Sequence, residues 1–566
     1  MKAYLEEILR PILASMGAPE GVSGDFETPG NADHGDLATS AALRLAKPLR
    51  RAPRAIAEDL QSRLRDVLDP ARVAAVEIAG PGFLNFRFAP AYLAERLADL
   101  LARADTYGRT DGGQGKTVLV EYVSANPTGP LTVGHGRNAV LGDTITSLLD
   151  WAGFSATREY YFNDGGRQMR VLGQSVRARY EALVDPSLPT KEVDGYRVPE
   201  SFPEGGYLGG YIGDIAGTLF DAHGASLLTA EGDPFREAAQ AAIFADIRAT
   251  LERLGVRMDV YFNERTVYEN GAIECVVERL RAAGYVEDRD GAVWFLTSKL
   301  GKVGKENEPA DTVLIKSTGE PTYRLPDIAY HIDKLDRGFD STIDILGSDH
   351  IATFPDVLRA LEVLGYDAGR VGAVIYQFVT LVRSGQPVKM STRKANYVTL
   401  DELMDEVGED VTRFFFLMRA PTTHLEFDLD LAKEASDKNP VYYLQYAHAR
   451  VCSILRKAEE VGVTFSAAPD LALLTNEAEV TLTKNLLRLP DVIAGAANAR
   501  EPHLLATYLR EVASSFTQFY GASRIVGEAP ALASARMALA TAARVVLANG
   551  LSVLGILAPE RMEPRT

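Results

Sequence analysis

The stretch Val118-Leu119-Val120-Glu121-Tyr122-Val123-Ser124-Ala125-Asn126-Pro127-Thr128-Gly129-Pro130-Leu131-Thr132-Val133-Gly134-His135-Gly136-Arg137-Asn138 decides the fold. Its first six residues read as a short buried strand. A loop rich in proline and glycine follows, and from about Gly134 an amphipathic helix runs to Leu149, with Gly153 as its C-terminal cap. Arg158–Phe162 reads as the next strand. Strand, Gly-rich turn, helix and strand in succession make a βαβ unit, and a parallel sheet binds its ligands at the carboxyl ends of such strands.

Outward from this unit the pattern changes several times. Residues 1–108 read as a small α/β domain, with helices at Tyr4–Met16, Asp36–Ala46, Arg54–Leu68 and Ala91–Arg103. Its strands are expected at Val73–Ile78 and, after the Gly80-Pro81-Gly82 turn, at Phe83–Phe88. A polar Gly-rich linker over 109–116 separates it from the first half of the catalytic sheet, 116–170. Mostly helical sequence over 171–310 interrupts the sheet, with a loop and helix start at Gly205–Ile212. Strand–helix alternation resumes over 311–400, with strands at Val313–Lys316, Ile343–Leu346 and Val374–Val382. Connecting helices over 401–436 lead into an all-helical domain, 437–566. The fold expected is α/β: a split Rossmann-like parallel-sheet domain with a helical insertion, a small N-terminal α/β domain and an all-α C-terminal domain.

Composition excludes several classes. Hydrophobic residues are 46% and charged residues 24%, as in ordinary globular chains. Cys275 and Cys452 are the only cysteines and stand far apart, so neither a disulfide framework nor a zinc spacing exists, and a reducing cytosol is the expected compartment. The acidic start Met1–Glu7 does not read as a secretory signal, and no run of 18 apolar residues suggests a membrane span. The net charge of −17 argues against a nucleic-acid partner, but it is unevenly spread. From Lys438 onward there are 13 Lys/Arg against 11 Asp/Glu, which leaves the acidity in the rest of the chain.

Two segments carry candidate chemistry. The glycines of Val133–Asn138 let a backbone approach a ligand closely, and the helix start favours phosphate, with His135 as a donor. Alone, the same residues read more readily as a helix cap with a surface histidine, because short motifs match by chance. Lys389-Met390-Ser391-Thr392-Arg393-Lys394-Ala395-Asn396 follows a turn at Ser384–Pro387. Its cations could close on a pyrophosphate and stabilise charge as it leaves, although a basic loop by itself is usually only solvated.

Together these segments resemble the paired ATP-binding motifs of class I aminoacyl-tRNA synthetases, and in detail the arginyl-tRNA synthetase family. The resemblance extends through Ser124–His135, Asn163-Asp164-Gly165-Gly166, Pro321–Tyr330, Asn439–Arg450 and Val553–Met562, and includes His34-Gly35-Asp36 near the N-terminus. It implies activation of L-arginine with ATP, accompanied by Mg²⁺, and transfer to the 3′ end of tRNA-Arg by a monomeric cytoplasmic ligase. It also implies that activation requires bound tRNA, that the C-terminal helices bind the anticodon, and that the N-terminal domain meets the outer corner of the tRNA.

Residue by residue, the resemblance implies that Thr132, Gly134, His135, Asn138, Lys389, Met390 and Ser391 bind ATP. His135, Lys389 and Arg393 are the implied catalytic group. Glu121, Ser124, Asn126, Tyr323, Asp327 and Asp349 are the implied arginine site. A guanidinium carries five donors and a permanent charge, so it needs acceptors such as carboxylates. Glu121 is expected at the α-ammonium and Asp327 at the guanidinium, with Tyr323 and Asp327 on one helical face. No dedicated metal cage and no Ser-His-Asp or Cys-His arrangement is visible. Tyr442, Tyr443 and Tyr446 are stacking candidates for bases or, at helical spacing, core residues.

Two positions depart from the family pattern. Thr132 stands where a histidine usually opens the first motif, and Thr392 stands where much of the class has lysine. The substitute lysine before the glycine–histidine motif is absent, since that position is Gly129. Charge compensation then falls to Lys389, Arg393 or Lys394. A small-molecule nucleotidyltransferase of the same fold would not need the helical domain, and a non-catalytic tRNA-binding paralogue would not need His135, Lys389 and the arginine-site residues. Removing the chain beyond about Ala420 is expected to abolish tRNA binding while leaving the rest partly folded.

Overall fold

The computed structural model describes residues 1–19, 21–304, 307–388, 398–460, 462 and 464–562. Its centre is a five-stranded parallel sheet built from Thr117–Glu121 (β1), Ser155–Phe162 (β2), Val260–Asn263 (β3), Ser341–Gly347 (β4) and Val371–Tyr376 (β5). The order across the sheet is β5-β4-β1-β2-β3. Strand order reverses between β1 and β4, and their carboxyl ends form the crevice in which doubly wound sheets place ligands. The reading of the central βαβ unit therefore holds.

Val133–Trp151 (α1) joins β1 to β2 and is buried nearly all round. It packs against the sheet on one side and against Leu489–Ala499 and Glu409–Leu417 on others, so it lacks the polar face of a surface helix. A Cβ on Gly142 would lie 2.1 Å from Tyr122, so only glycine lets α1 close on β1.

Four expectations are corrected. Leu37–Thr39 is a strand, paired antiparallel with Leu84–Phe86, and the helix expected from Asp36 begins only at Ala41. All three strand residues are buried, and pairing overrides local helix propensity. Within 171–310, Val260–Asn263 supplies the outer strand of the parallel sheet, so this range does not wholly interrupt it. Thr312–Ile315 pairs antiparallel with Ala292–Phe295 in a separate small sheet instead of joining the centre. The single strand expected over Val374–Val382 is two: β5, and Val379–Arg383, which pairs with Leu425–Asp428.

The C-terminal helices Pro440–Glu460, Glu477–Leu486, Leu489–Ala499, His503–Ala522 and Pro530–Val553 pack as a bundle. Pro530–Val553 is long and apolar enough to cross a membrane by composition alone. Here most of its apolar residues, among them Met537, Leu539, Val546, Leu547, Leu551 and Val553, are buried in the bundle core. The bundle is fastened to the sheet domain by Arg413, which donates to Leu554 O (3.0 Å), Leu254 O (2.9 Å) and Asp143 (2.6 Å). It is tied to the N-terminal domain by Lys484 on Asp36, 2.6 Å apart.

Candidate active site

At the end of β1 the backbone turns sharply. Val123 and Ser124 have φ of +64° and +42°. A β-branched residue in the left-handed region costs on the order of 1–3 kcal/mol and persists only where its surroundings enforce it. Asn138, one turn inside α1, enforces it: its Oδ1 accepts from Val123 N–H (2.6 Å) and its Nδ2 donates to Ile345 O (2.8 Å). The residue is buried with both ends of its amide occupied. Asn138 thereby shapes the turn that presents Ser124.

Ser124 Oγ donates to Glu121 Oε1 (2.8 Å) and accepts from Tyr161 N–H (3.2 Å). Glu121 Oε2 meets Lys334 Nζ at 2.5 Å, and the same ammonium lies 2.7 Å from Asp344 Oδ1. Asp344 Oδ2 contacts His331 Nε2 at 2.7 Å, and His331 Nδ1 donates to the Asp327 backbone carbonyl (2.7 Å) with Asp327 Oδ1 3.4 Å away. A continuous charged chain thus joins Glu121 to Asp327 through Lys334, Asp344 and His331. Burial and Lys334 both oppose the imidazolium, but Asp344 and Asp327 outweigh them and lift His331 to about 10. Burial opposes ionisation of Asp344 too, yet Lys334 and His331 hold it well below the carboxylate range. Burial raises Glu121, with Lys334 opposing.

The register explains the crowding. Glu159, Glu121 and Asp344 stand abreast on β2, β1 and β4. One helix, Arg324–Asp336 (α2), with Arg337 at its end, answers all three: Lys334 and His331 as above, and Arg337 on Glu159 at 2.6 Å. Lys334, His331 and Asp344 were not anticipated from the sequence. An acid inside the apolar run Thr342-Ile343-Asp344-Ile345-Leu346 is a signal shared with Glu121 inside Val118–Val123.

The phosphate side is built by the start of α1. Thr132 is its N-cap, and Thr132 N–H donates to His135 Nδ1 at 3.2 Å. The neutral ring then carries its proton on Nε2, and burial keeps its pKa below the ordinary value. Nothing lies closer than 3.8 Å to where a Cβ of Gly134 would sit, so that backbone is open. Asn126, Thr132 and His135 line a cleft of about 500 Å³, roofed by Asp194 and the Gly205–Tyr211 loop of the insertion. Asn126 itself is exposed and donates to Gln168 (2.9 Å).

Tyr323 caps α2 at 80% exposure, and Asp327 lies in its first turn. Asp349 follows β4 in an exposed turn, 3.7 Å from His350 and apart from the buried chain. Lys389, Met390, Ser391 and Arg393 lie outside the described residues. The segment that follows them does not: Thr399 bridges Thr132, and Leu400 N–H donates to Leu131 O (2.8 Å). The exit from the basic loop is thereby anchored beside the first motif.

Residues 96–416 match the model of the class I tRNA synthetase (R) catalytic domain. Residues 3–88 match the arginyl-tRNA synthetase N-terminal domain, and 444–562 the DALR anticodon-binding domain. The sheet and its site thus define a class I aminoacyl-tRNA synthetase. The chain is 58% identical to an arginine–tRNA ligase of Salinibacter ruber, covering 99% of this chain and all of that one. It is 49% identical to that of Desulfotalea psychrophila, over 95% and 94% of the two chains. The structure resembles Thermus thermophilus arginyl-tRNA synthetase with a TM-score of 0.77 at 25% identity, covering 99% and 100% of the chains. The chain belongs to the arginyl-tRNA synthetase family.

Proposed function

We propose that the chain is an arginine–tRNA ligase, which forms arginyl-adenylate from L-arginine and ATP and passes arginine to the 3′ end of tRNA-Arg. The observation that carries this reading is the pairing of Leu131–Thr132 with Thr399–Leu400. It joins the phosphate-facing helix start to the exit of the basic loop, at the crevice that also holds the carboxylates.

In this reading the arginine carboxylate attacks the ATP α-phosphate in line, and pyrophosphate departs. The terminal ribose hydroxyl of the tRNA then attacks the adenylate carbonyl and releases AMP. Such transfers depend on positioning and charge stabilisation more than on a nucleophilic side chain. His135 donates from Nε2 to a phosphate oxygen, with Thr132 and the open backbone at Gly134 beside it. Lys389, Ser391 and Arg393, with Met390, supply the contacts of the basic loop. Asp327 takes the guanidinium, and Glu121, Ser124 and Asn126 the α-ammonium end, flanked by Tyr323 and Asp349. Mg²⁺ accompanies ATP as its counter-ion. Among the described residues no group of three or more His, Cys, Asp or Glu could hold a metal, so no step is assigned to a protein-bound ion.

The C-terminal bundle supports the tRNA part of the reading. Tyr442 and Tyr446 stack on each other, and Arg450 lies over Tyr446 and Tyr520 at 5.6 and 4.7 Å. Exposed aromatic and guanidinium faces of this kind accept bases. The test is ATP–pyrophosphate exchange with each of the twenty amino acids, with and without tRNA. Exchange with arginine alone among them, in the presence of tRNA, is expected; exchange with another amino acid overturns the reading.

A further inference from the structure

The loop Asn126-Pro127-Thr128-Gly129-Pro130 joins the arginine side of the crevice to the start of α1. Pro127 and Pro130 have a fixed φ and Gly129 has no side chain, so the Thr128–Gly129 peptide is the joint with the most freedom. The insertion holds that joint. Tyr211 Oη donates to Thr128 O at 2.7 Å, and the Thr128 side chain meets the Tyr207 hydroxyl. The Tyr211 hydroxyl also fills the space beside Gly129, where a Cβ would lie 2.9 Å from its oxygen. A Cβ on Gly209 would run into the Tyr211 ring, so glycine there lets the ring fold back against its own loop. Behind the two tyrosines stands one helix, Gly166–Val184, which follows the end of β2. Its buried Ser175 accepts from Tyr207 N–H at 3.0 Å, and its Gln168 accepts from Asn126 Nδ2 at 2.9 Å. The helix Gly210–His223, which carries Tyr211, packs along it. One frame thus grips the loop at Asn126 and at Thr128, on either side of Pro127.

We propose that Tyr211 is a positioning residue for adenylate formation, acting through the Thr128 carbonyl on the loop that sets Asn126 against the phosphate-facing start of α1. The proposal rests on the reading of this crevice as the site of arginine activation and adds to it a part for the insertion. In-line attack needs the arginine carboxylate and the α-phosphate in one fixed geometry, and a displacement of about 1 Å can cost roughly a hundredfold in rate. A loop free to swing about Thr128–Gly129 still offers Asn126 to one substrate, and Thr132 and His135 to the other. It loses their relative placing, which the transition state needs and the separately bound substrates do not. The effect therefore falls on turnover and leaves the binding of each substrate nearly untouched.

The test is Tyr211→Phe in the full chain with ATP and tRNA, a change that keeps the ring and removes only the hydroxyl. The kcat of arginine-dependent pyrophosphate exchange is expected to fall about three- to tenfold, the range that one net hydrogen bond accounts for. The KM for arginine and for ATP, the tRNA affinity and the melting temperature should all stay at their unsubstituted values. A kcat within about twofold of the unsubstituted protein overturns the proposal. So does a loss of kcat matched by a lower melting temperature and weaker tRNA binding, which marks a merely structural contact. Gly129→Ala probes the same contact from the loop side: its methyl displaces the Tyr211 hydroxyl and should lower kcat by a similar factor. Added to Tyr211→Phe it should cost less than about twofold more, because the two substitutions share one interaction. Losses that multiply overturn the role of Tyr211 and leave the arginine reading standing. If the unsubstituted protein does not exchange with arginine, both fall.

Discussion

Glu121 and Asp344 stand opposite each other in register on the two central parallel strands, and one buried ammonium, Lys334, bonds them both at 2.5 and 2.7 Å. Two like charges on adjacent strands repel. The site exists because α2 lays Lys334 and His331 over the pair, and the same helix presents Asp327 at its other end.

Replacing Lys334 should therefore act first on folding. Lys334→Met leaves Glu121 and Asp344 facing each other without compensation, and the expected loss is about 3–5 kcal/mol of stability. Denaturant unfolding measures it. Adding Asp344→Asn should recover part of the loss, because the two substitutions share one interaction. Simple additivity would show that Lys334 does not serve the pair.

His331 gives the protein an alkaline weakness. Its folded pKa, about 10, exceeds the ordinary histidine value near 6.5. The stabilisation is thus complete below about 6.5 and is lost as the pH rises through the folded value. Melting temperature followed from pH 6 to 10.5 should fall further in the unsubstituted protein than in His331→Gln. Parallel curves would remove His331 from the charged chain.

Asp327→Asn should weaken arginine use by about 2–5 kcal/mol, the scale for truncating one partner of a buried, hydrogen-bonded charge pair. Its carboxylate is partly exposed, so the substitution leaves the packing of α2 intact. Steady-state kinetics in arginine measure the effect, and unaltered kinetics would exclude Asp327 from the site.

On the phosphate side, His135→Ala should cost about 3 kcal/mol of transition-state stabilisation, as for other preorganised donors. Thr132→His should be neutral or raise the rate, because the N-cap position already faces the cleft. Pyrophosphate exchange at the unsubstituted rate in His135→Ala would place the phosphate site elsewhere.

Ending the chain at Ala420 should yield aggregated protein, a harsher outcome than the sequence alone leads one to expect. Arg413 would lose Leu554 O, and the face of α1 covered by the helix Leu489–Ala499 would meet water. A soluble, cooperatively melting truncated protein would show that the sheet domain is independent of the bundle.

The sequence by itself determined the local signals: the buried strand and Gly-rich turn before α1, the helix start at the Gly-His-Gly segment, the acid Glu121 inside an apolar run, and the order of the motifs. These are legible because they rest on neighbours in the chain. Register was not legible. Which strand Val260–Asn263 joined, and that Thr312–Ile315 would leave the central sheet, depended on pairing between residues far apart in sequence. Asn138 illustrates the same limit, since nothing in the sequence tells that its amide bonds the backbone of Val123 and Ile345. Only the tertiary structure set Glu159, Glu121 and Asp344 abreast and gave them Arg337, Lys334 and His331. Compensation of a buried charge is a property of three-dimensional neighbours, which no spacing along one chain records.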